Sequence, residues 1–87
     1  MKEDKTDVFD LTLIKKKQTE EMLKEVTKSL EKRGYNPINQ IVGYLISGDP
    51  GYISNYQSAR DKISKFDRTE IVALVLEEYL KKWLWDV

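Results

Sequence analysis

Along most of the chain, apolar residues return at helical intervals, and glycine or proline marks the joints. From Gln18 to Arg33, the positions Met22, Leu23, Val26 and Leu30 recur every three or four residues. Glu20, Glu21, Lys24, Glu25, Lys28 and Glu31 take most of the remaining surface, so this stretch predicts an amphipathic helix. Lys32 and Arg33 suit the negative end of that helix, and Gly34 stops it by adopting positive φ. Asn36-Pro37 opens a second helix: the asparagine accepts a bond from an orphan backbone N–H, and proline at the first position loses none. Ile38, Ile41, Val42, Leu45 and Ile46 give it a broad apolar face. Gly43 lies among them, where a missing side chain admits a second helix at close range. Gly48 ends the segment, and Asp49-Pro50 repeats the cap-and-proline device to begin a short turn-helix through Tyr52 and Ile53.

A weaker third helix is expected from Asn55 to Phe66, with Tyr56, Ala59, Ile63 and Phe66 inward. Asp67-Arg68-Thr69-Glu70 has the spacing of a capping box, and Phe66 with Ile71 has that of a hydrophobic staple. The last helix runs from about Arg68 to about Trp85. Its apolar residues cover more than one face, and the surplus around Val75, Tyr79 and Trp83 predicts a second apolar contact, such as a twin subunit. Residues 1–17 show no sustained helical period; Val8 to Leu13 partly alternates, as in an extended segment. The division is therefore a flexible tail over 1–17 and a helical domain over 18–87. The fold class is all-α: a compact bundle of four main helices plus a short turn-helix, forming an intertwined homodimer.

Composition narrows the chemistry. A chain of 87 residues holds one core, and small domains of this kind gain stability by dimerising. Fifteen basic and fifteen acidic side chains cancel, which argues against a dedicated nucleic-acid binder. The sequence holds no cysteine and no histidine, so disulfides and His-based catalysis or zinc sites are not available within it. No cofactor is expected. The N-terminus lacks the apolar core of a signal peptide, and no run approaches a membrane span, so a cytoplasmic protein without membrane insertion is the expectation.

The carboxylates Asp49, Asp61, Asp67, Glu70, Glu77 and Glu78 read as helix caps and solvated surface rather than acid–base pairs, so catalysis is not expected. Ser47-Gly48-Asp49-Pro50 lacks the lysine and glycine spacing of a phosphate loop. A helix-turn-helix reading rests on Lys15, Lys16 and Lys17 and on Arg60, Lys62, Lys65 and Arg68, but acidic residues interleave the second group. A small DNA-binding dimer and an unswitched dimerisation module are the rival readings. Thr6, within Glu3-Asp4-Lys5-Thr6-Asp7, is a different kind of candidate. A phosphate there adds about −1.5 to −2 charge to a neutral protein.

The string GYNPINQIVGYLISGDPGYI, from Gly34 to Ile53, resembles the core of the IreB/ReoM family of small bacterial regulatory phosphoproteins. The likeness continues through Ala59-Arg60, Ile63 and Arg68-x-Glu70 into the last helix, and Lys5-Thr6-x-x-Phe9-x-Leu11 is similar to the family's phosphoacceptor segment. The resemblance implies an all-helical homodimer that is a substrate of PASTA-type Ser/Thr kinases and the cognate phosphatase in Gram-positive bacteria. It implies that the unphosphorylated form promotes Clp proteolysis of the enzyme that commits precursor to peptidoglycan, and that phosphorylation relieves this. Cell-wall synthesis and β-lactam tolerance then rise. By the same resemblance Thr6 is the phosphoacceptor, Thr12 a weaker second candidate, and Arg60 and Arg68 a partner- or phosphate-binding pair. The expected dimer contacts are Ile38, Ile41, Val42, Leu45, Val75, Tyr79 and Trp83. This chain departs from the family pattern at Ser54, Asn55 and Ser64, where proline and two arginines are usual, at the basic run Lys15–Lys17, and at Trp83-Leu84-Trp85. These differences point to a divergent paralogue with an altered target.

Overall fold

The joints named above organise the chain in space. The computed structural model describes residues 11–84. These form four α-helices, α1 (Leu11–Lys32), α2 (Pro37–Ser47), α3 (Ala59–Ser64) and α4 (Arg68–Leu84), with 3-10 turns at Pro50–Tyr52 and Tyr56–Ser58. No strand occurs among the described residues. The described body measures 49 × 31 × 23 Å.

Helix α1 is the spine, packing on α3, α4 and α2. Met22, Val26 and Leu30 are buried on one face. Against them lie Tyr44 of α2, Ile53, Ala59 and Ile63 of the α3 region, and Ile71 of α4, with Leu23, Ile41, Leu45 and Phe66 partly buried around the cluster. Two polar side chains share the buried face of α1. Thr19 donates its hydroxyl to the Lys15 carbonyl (2.9 Å), and Ser29 donates to Gln57 Oε1 (2.8 Å). Both are satisfied, so they sit in the core without the cost of an orphaned hydroxyl.

The helix begins at Leu11, not at Gln18 as the periodicity suggested. Residues 11–17 are therefore helical and do not belong to an extended tail. The added turns contain no glycine or proline, and their lysines pair across to α4. Lys15 lies 3.5 Å from Glu70, and Lys16 lies 3.0 Å from Glu77 and 3.6 Å from Glu78, all on α4. Such pairs leave no trace in the apolar period of α1. At its other end the helix closes on Gly34 (φ +86°) with Tyr35 N–H bonded to the Leu30 carbonyl and Gly34 N–H to the Glu31 carbonyl, a Schellman motif.

The local punctuation of the next segment is as expected. Asn36 Oδ1 accepts from Asn39 N–H at 3.1 Å ahead of Pro37, and Asp49 Oδ1 accepts from Gly51 N–H at 2.8 Å ahead of the first 3-10 turn. Gly43 has another purpose than the one expected. A Cβ there would stand 2.6 Å from the Tyr52 ring, so the gap admits a side chain of the same chain, not a second helix.

The third helix is shorter than Asn55–Phe66. Gln57 (φ +52°) and Ser58 (φ +64°) take left-handed conformations that split it into a 3-10 turn and α3. The Ser29–Gln57 bond ties this kink to α1. Ala59 and Ile63 are buried and Phe66 packs on the core; Tyr56 is half-buried, with Arg33 placed over its ring at 5.5 Å. Asp67 caps α4 through Thr69 N–H at 2.8 Å. The reciprocal half of the expected capping box gives way to the ion pair of Glu70 with Lys15.

Candidate regulatory site and interaction surface

Three groups of residues carry the functional expectations, and the fold separates them. Thr6 lies outside the described residues. Thr12 is exposed in the first turn of α1, on the rim of a cleft formed with Glu70, Ala73 and Glu77 of α4. Its backbone is helical, a poor match for a kinase that reads an extended strand of substrate.

Arg60 and Arg68 both brace the joint after α2. Arg60 Nε donates to the Ile53 carbonyl at 2.9 Å. Arg68 reaches from the start of α4 to the Leu45 carbonyl, also at 2.9 Å, and so satisfies one of the last carbonyls of α2. Its guanidinium lies flat on Gly48 (φ +78°), where a Cβ would stand 2.9 Å from it. Neither arginine has a carboxylate within ion-pair distance among the described residues. Each guanidinium has five donors and commits one here, so donors remain for an anion. Asn55 and Ser64 are engaged locally. Asn55 Oδ1 accepts from Asp61 N–H (3.3 Å), and Ser64 donates to the Arg60 carbonyl (2.7 Å).

The expected contact residues divide. Ile41 and Leu45 pack on the chain's own core beside Tyr44, a buried residue that the apolar period of α2 did not single out. Ile38 (72% exposed) and Val42 face outward, and Ile46 (80%) continues their stripe at four-residue steps. On α4 only Ile71 and Leu74 are buried. Val75, Tyr79 and Trp83 are exposed, and so are Val72, Leu76, Leu80 and Leu84. Tyr79 and Trp83 stack obliquely at 6.2 Å, and the Lys82 ammonium lies 5.8 Å from the Tyr79 ring. This is a large apolar surface for so small a body, and a monomer rarely shows one without use.

Charge is concentrated where α1 meets α4. The hydrogen bond to Glu77 raises the Lys16 ammonium above its ordinary pKa, with Glu78 adding to it. Lys81 bonds Glu78 at 3.2 Å and, together with Lys16, holds that carboxyl below the usual range. Among the described residues no three acidic side chains converge as a metal site would require, and no helix is long and apolar enough to cross a membrane.

The described body is all-helical, and its exposed chemistry is apolar stripes and surface charge. The sequence matches the family model described as IreB regulatory phosphoprotein over residues 4–81. The chain belongs to that family.

Proposed function

We propose that this chain is a non-enzymatic regulatory phosphoprotein that works as a homodimer in the cytoplasm. In this reading a PASTA-type Ser/Thr kinase transfers the γ-phosphoryl group of ATP to Thr6 Oγ1. The hydroxyl proton is lost, ADP leaves, and a cognate phosphatase hydrolyses the ester. The phosphate changes which partner the helical body engages. That partner is a Clp protease or its substrate, the first committed enzyme of peptidoglycan synthesis, so the switch sets cell-wall output and antibiotic tolerance.

The observation that carries the reading is the family match, whose span includes Thr6. The exposed stripes of α2 and α4 support the dimer. A second copy laid across Ile38, Val42 and Ile46, or across Val75, Tyr79 and Trp83, would remove from water the apolar area that the single chain leaves in it. The spare donors of Arg60 and Arg68 support a phosphate-reading role beside their bracing one.

The deciding experiment incubates the purified chain with the cytoplasmic domain of its host's PASTA kinase and maps phosphate by intact-mass and peptide mass spectrometry. Stoichiometric phosphate on Thr6 is expected. No phosphate, or phosphate scattered over many residues, would overturn the switch. If Arg60 and Arg68 read the phosphate, Arg60→Ala and Arg68→Ala leave Thr6 phosphorylation intact and abolish its effect on partner binding.

A further inference from the structure

A groove of about 430 Å³ runs between the N-terminal half of α1 and α3, on a different part of the surface from the stripes of α2 and α4. Its floor is apolar: Ile14, Met22 and Phe66, with Gln18 between them. Ile14 is 42% exposed although it sits in a helical turn beside this floor. The rim is basic, with Lys17 on α1, Lys62 on α3 and Lys65 just after it. Lys62 is held at 3.3 Å by Glu25, whereas Lys17 and Lys65 have no ion pair among the described residues. Glu21 and Glu25 line the α1 side, so the three lysines outnumber the acids by one.

The chain that precedes α1 has the complementary character. Residues 3–9 hold three carboxylates against one lysine, and the apolar pair Val8-Phe9 stands at the end nearer α1. It joins the body at Leu11, at the same end of α1 as Ile14 and Lys17. A reversal at Asp10 would lay the segment antiparallel along α1. Phe9 to Thr6 extended covers ~10 Å, and Ile14 to Met22 along the helix is ~12 Å. Phe9 over Ile14 therefore brings Thr6 toward Met22 and the lysines of α3. Covalent attachment gives this segment a high effective concentration that no separate partner has.

From this complementarity we infer that the groove between α1 and α3 is the docking site of the chain's own residues 3–9. Val8 and Phe9 fill its apolar floor, and Lys17, Lys62 and Lys65 receive the acidic side chains. Docking of the unmodified segment does not rest on the proposed function.

The test uses the whole 87-residue chain, which holds no cysteine of its own, with Glu3→Cys carrying a nitroxide label. Methionine methyls carry ¹³C, and Met22, in the floor of the groove, is the reporter. Strong label-dependent loss of the Met22 methyl signal is expected, with recovery in the doubly substituted Val8→Ser, Phe9→Ser chain. Lys17→Glu with Lys65→Glu, both exposed positions, should recover it as well. An unaffected Met22 methyl overturns the inference, whatever the kinase does. Loss of signal only when label and isotope are on different chains also overturns it, because the segment then sits on a neighbouring copy. Loss of signal in a chain that the kinase does not modify upholds the docking site while the proposed switch falls.

Discussion

At the scale of single residues, backbone geometry is the clearest source of measurable effects. Ser58 sits at φ +64° with no side-chain bond to the helix it precedes. A left-handed conformation costs an L-residue about 1–2 kcal/mol, and glycine escapes that cost while adding unfolded-state entropy. Ser58→Gly should therefore raise stability by about 0.5–1 kcal/mol; an unchanged or lower urea midpoint would deny that the kink is strained. Gly48→Ala runs the other way. It forces a side chain into the left-handed region and against the Arg68 guanidinium, so a loss of about 1–3 kcal/mol is expected in the same titration. Arg68→Ala removes a carbonyl's partner too, so any loss of phosphate response in that variant needs comparison with Arg68→Lys, which keeps the charge but not the fork.

At the scale of elements, the contact of α1 with α4 depends on charge as well as apolar burial. Glu78 titrates below an ordinary carboxylate, first through Lys81 and then through Lys16. A depressed carboxyl contributes stability above its unfolded pKa and loses it as pH falls through the folded value. The melting temperature should accordingly fall on acidification through the carboxylate range, and Lys81→Ala should flatten that fall. Lys16 is raised, so its contribution lasts until pH climbs past the ordinary lysine range. The pairs are solvent-exposed, so added salt should weaken both effects. An acid limb identical in the parent and in Lys16→Ala, which removes the lysine that reaches from α1 to Glu77 and Glu78, would show that these charges do not hold the helices together.

At the scale of the whole molecule, one core serves four helices and leaves apolar surface on two of them. Trp83→Asp and Val75→Asp touch side chains that the single chain leaves exposed, so each should fold as before. If α4 lies in a dimer interface, both variants sediment as monomers while their far-ultraviolet circular dichroism stays helical. A dimer unchanged by either would move the contact off α4; Ile46→Asp would then test the α2 stripe.

Much of the architecture was legible in the sequence because it is local. Asn36-Pro37, Asp49-Pro50 and Gly34 state their geometry within a few residues, through side-chain caps and positive φ. The buried face of α1 follows from apolar spacing, which is why Met22, Val26 and Leu30 could be read as one face, whereas α4, apolar on more than one side, did not disclose that Ile71 and Leu74 are the buried pair. Everything that joins distant residues came from the tertiary structure. The Arg68 bond to Leu45, the Tyr52 ring in the gap at Gly43 and the Ser29–Gln57 tie each link positions that carry no mutual signal along the chain. The early start of α1 is of the same kind, since lysines that look like a solvated run are paired across space with α4. By itself, then, the sequence determined the helices, their caps and the family, because short-range hydrogen bonding and periodic burial are written in neighbouring residues. Only the tertiary structure decided which apolar faces the core consumes and which it leaves open, because that depends on how many helices one small core can surround.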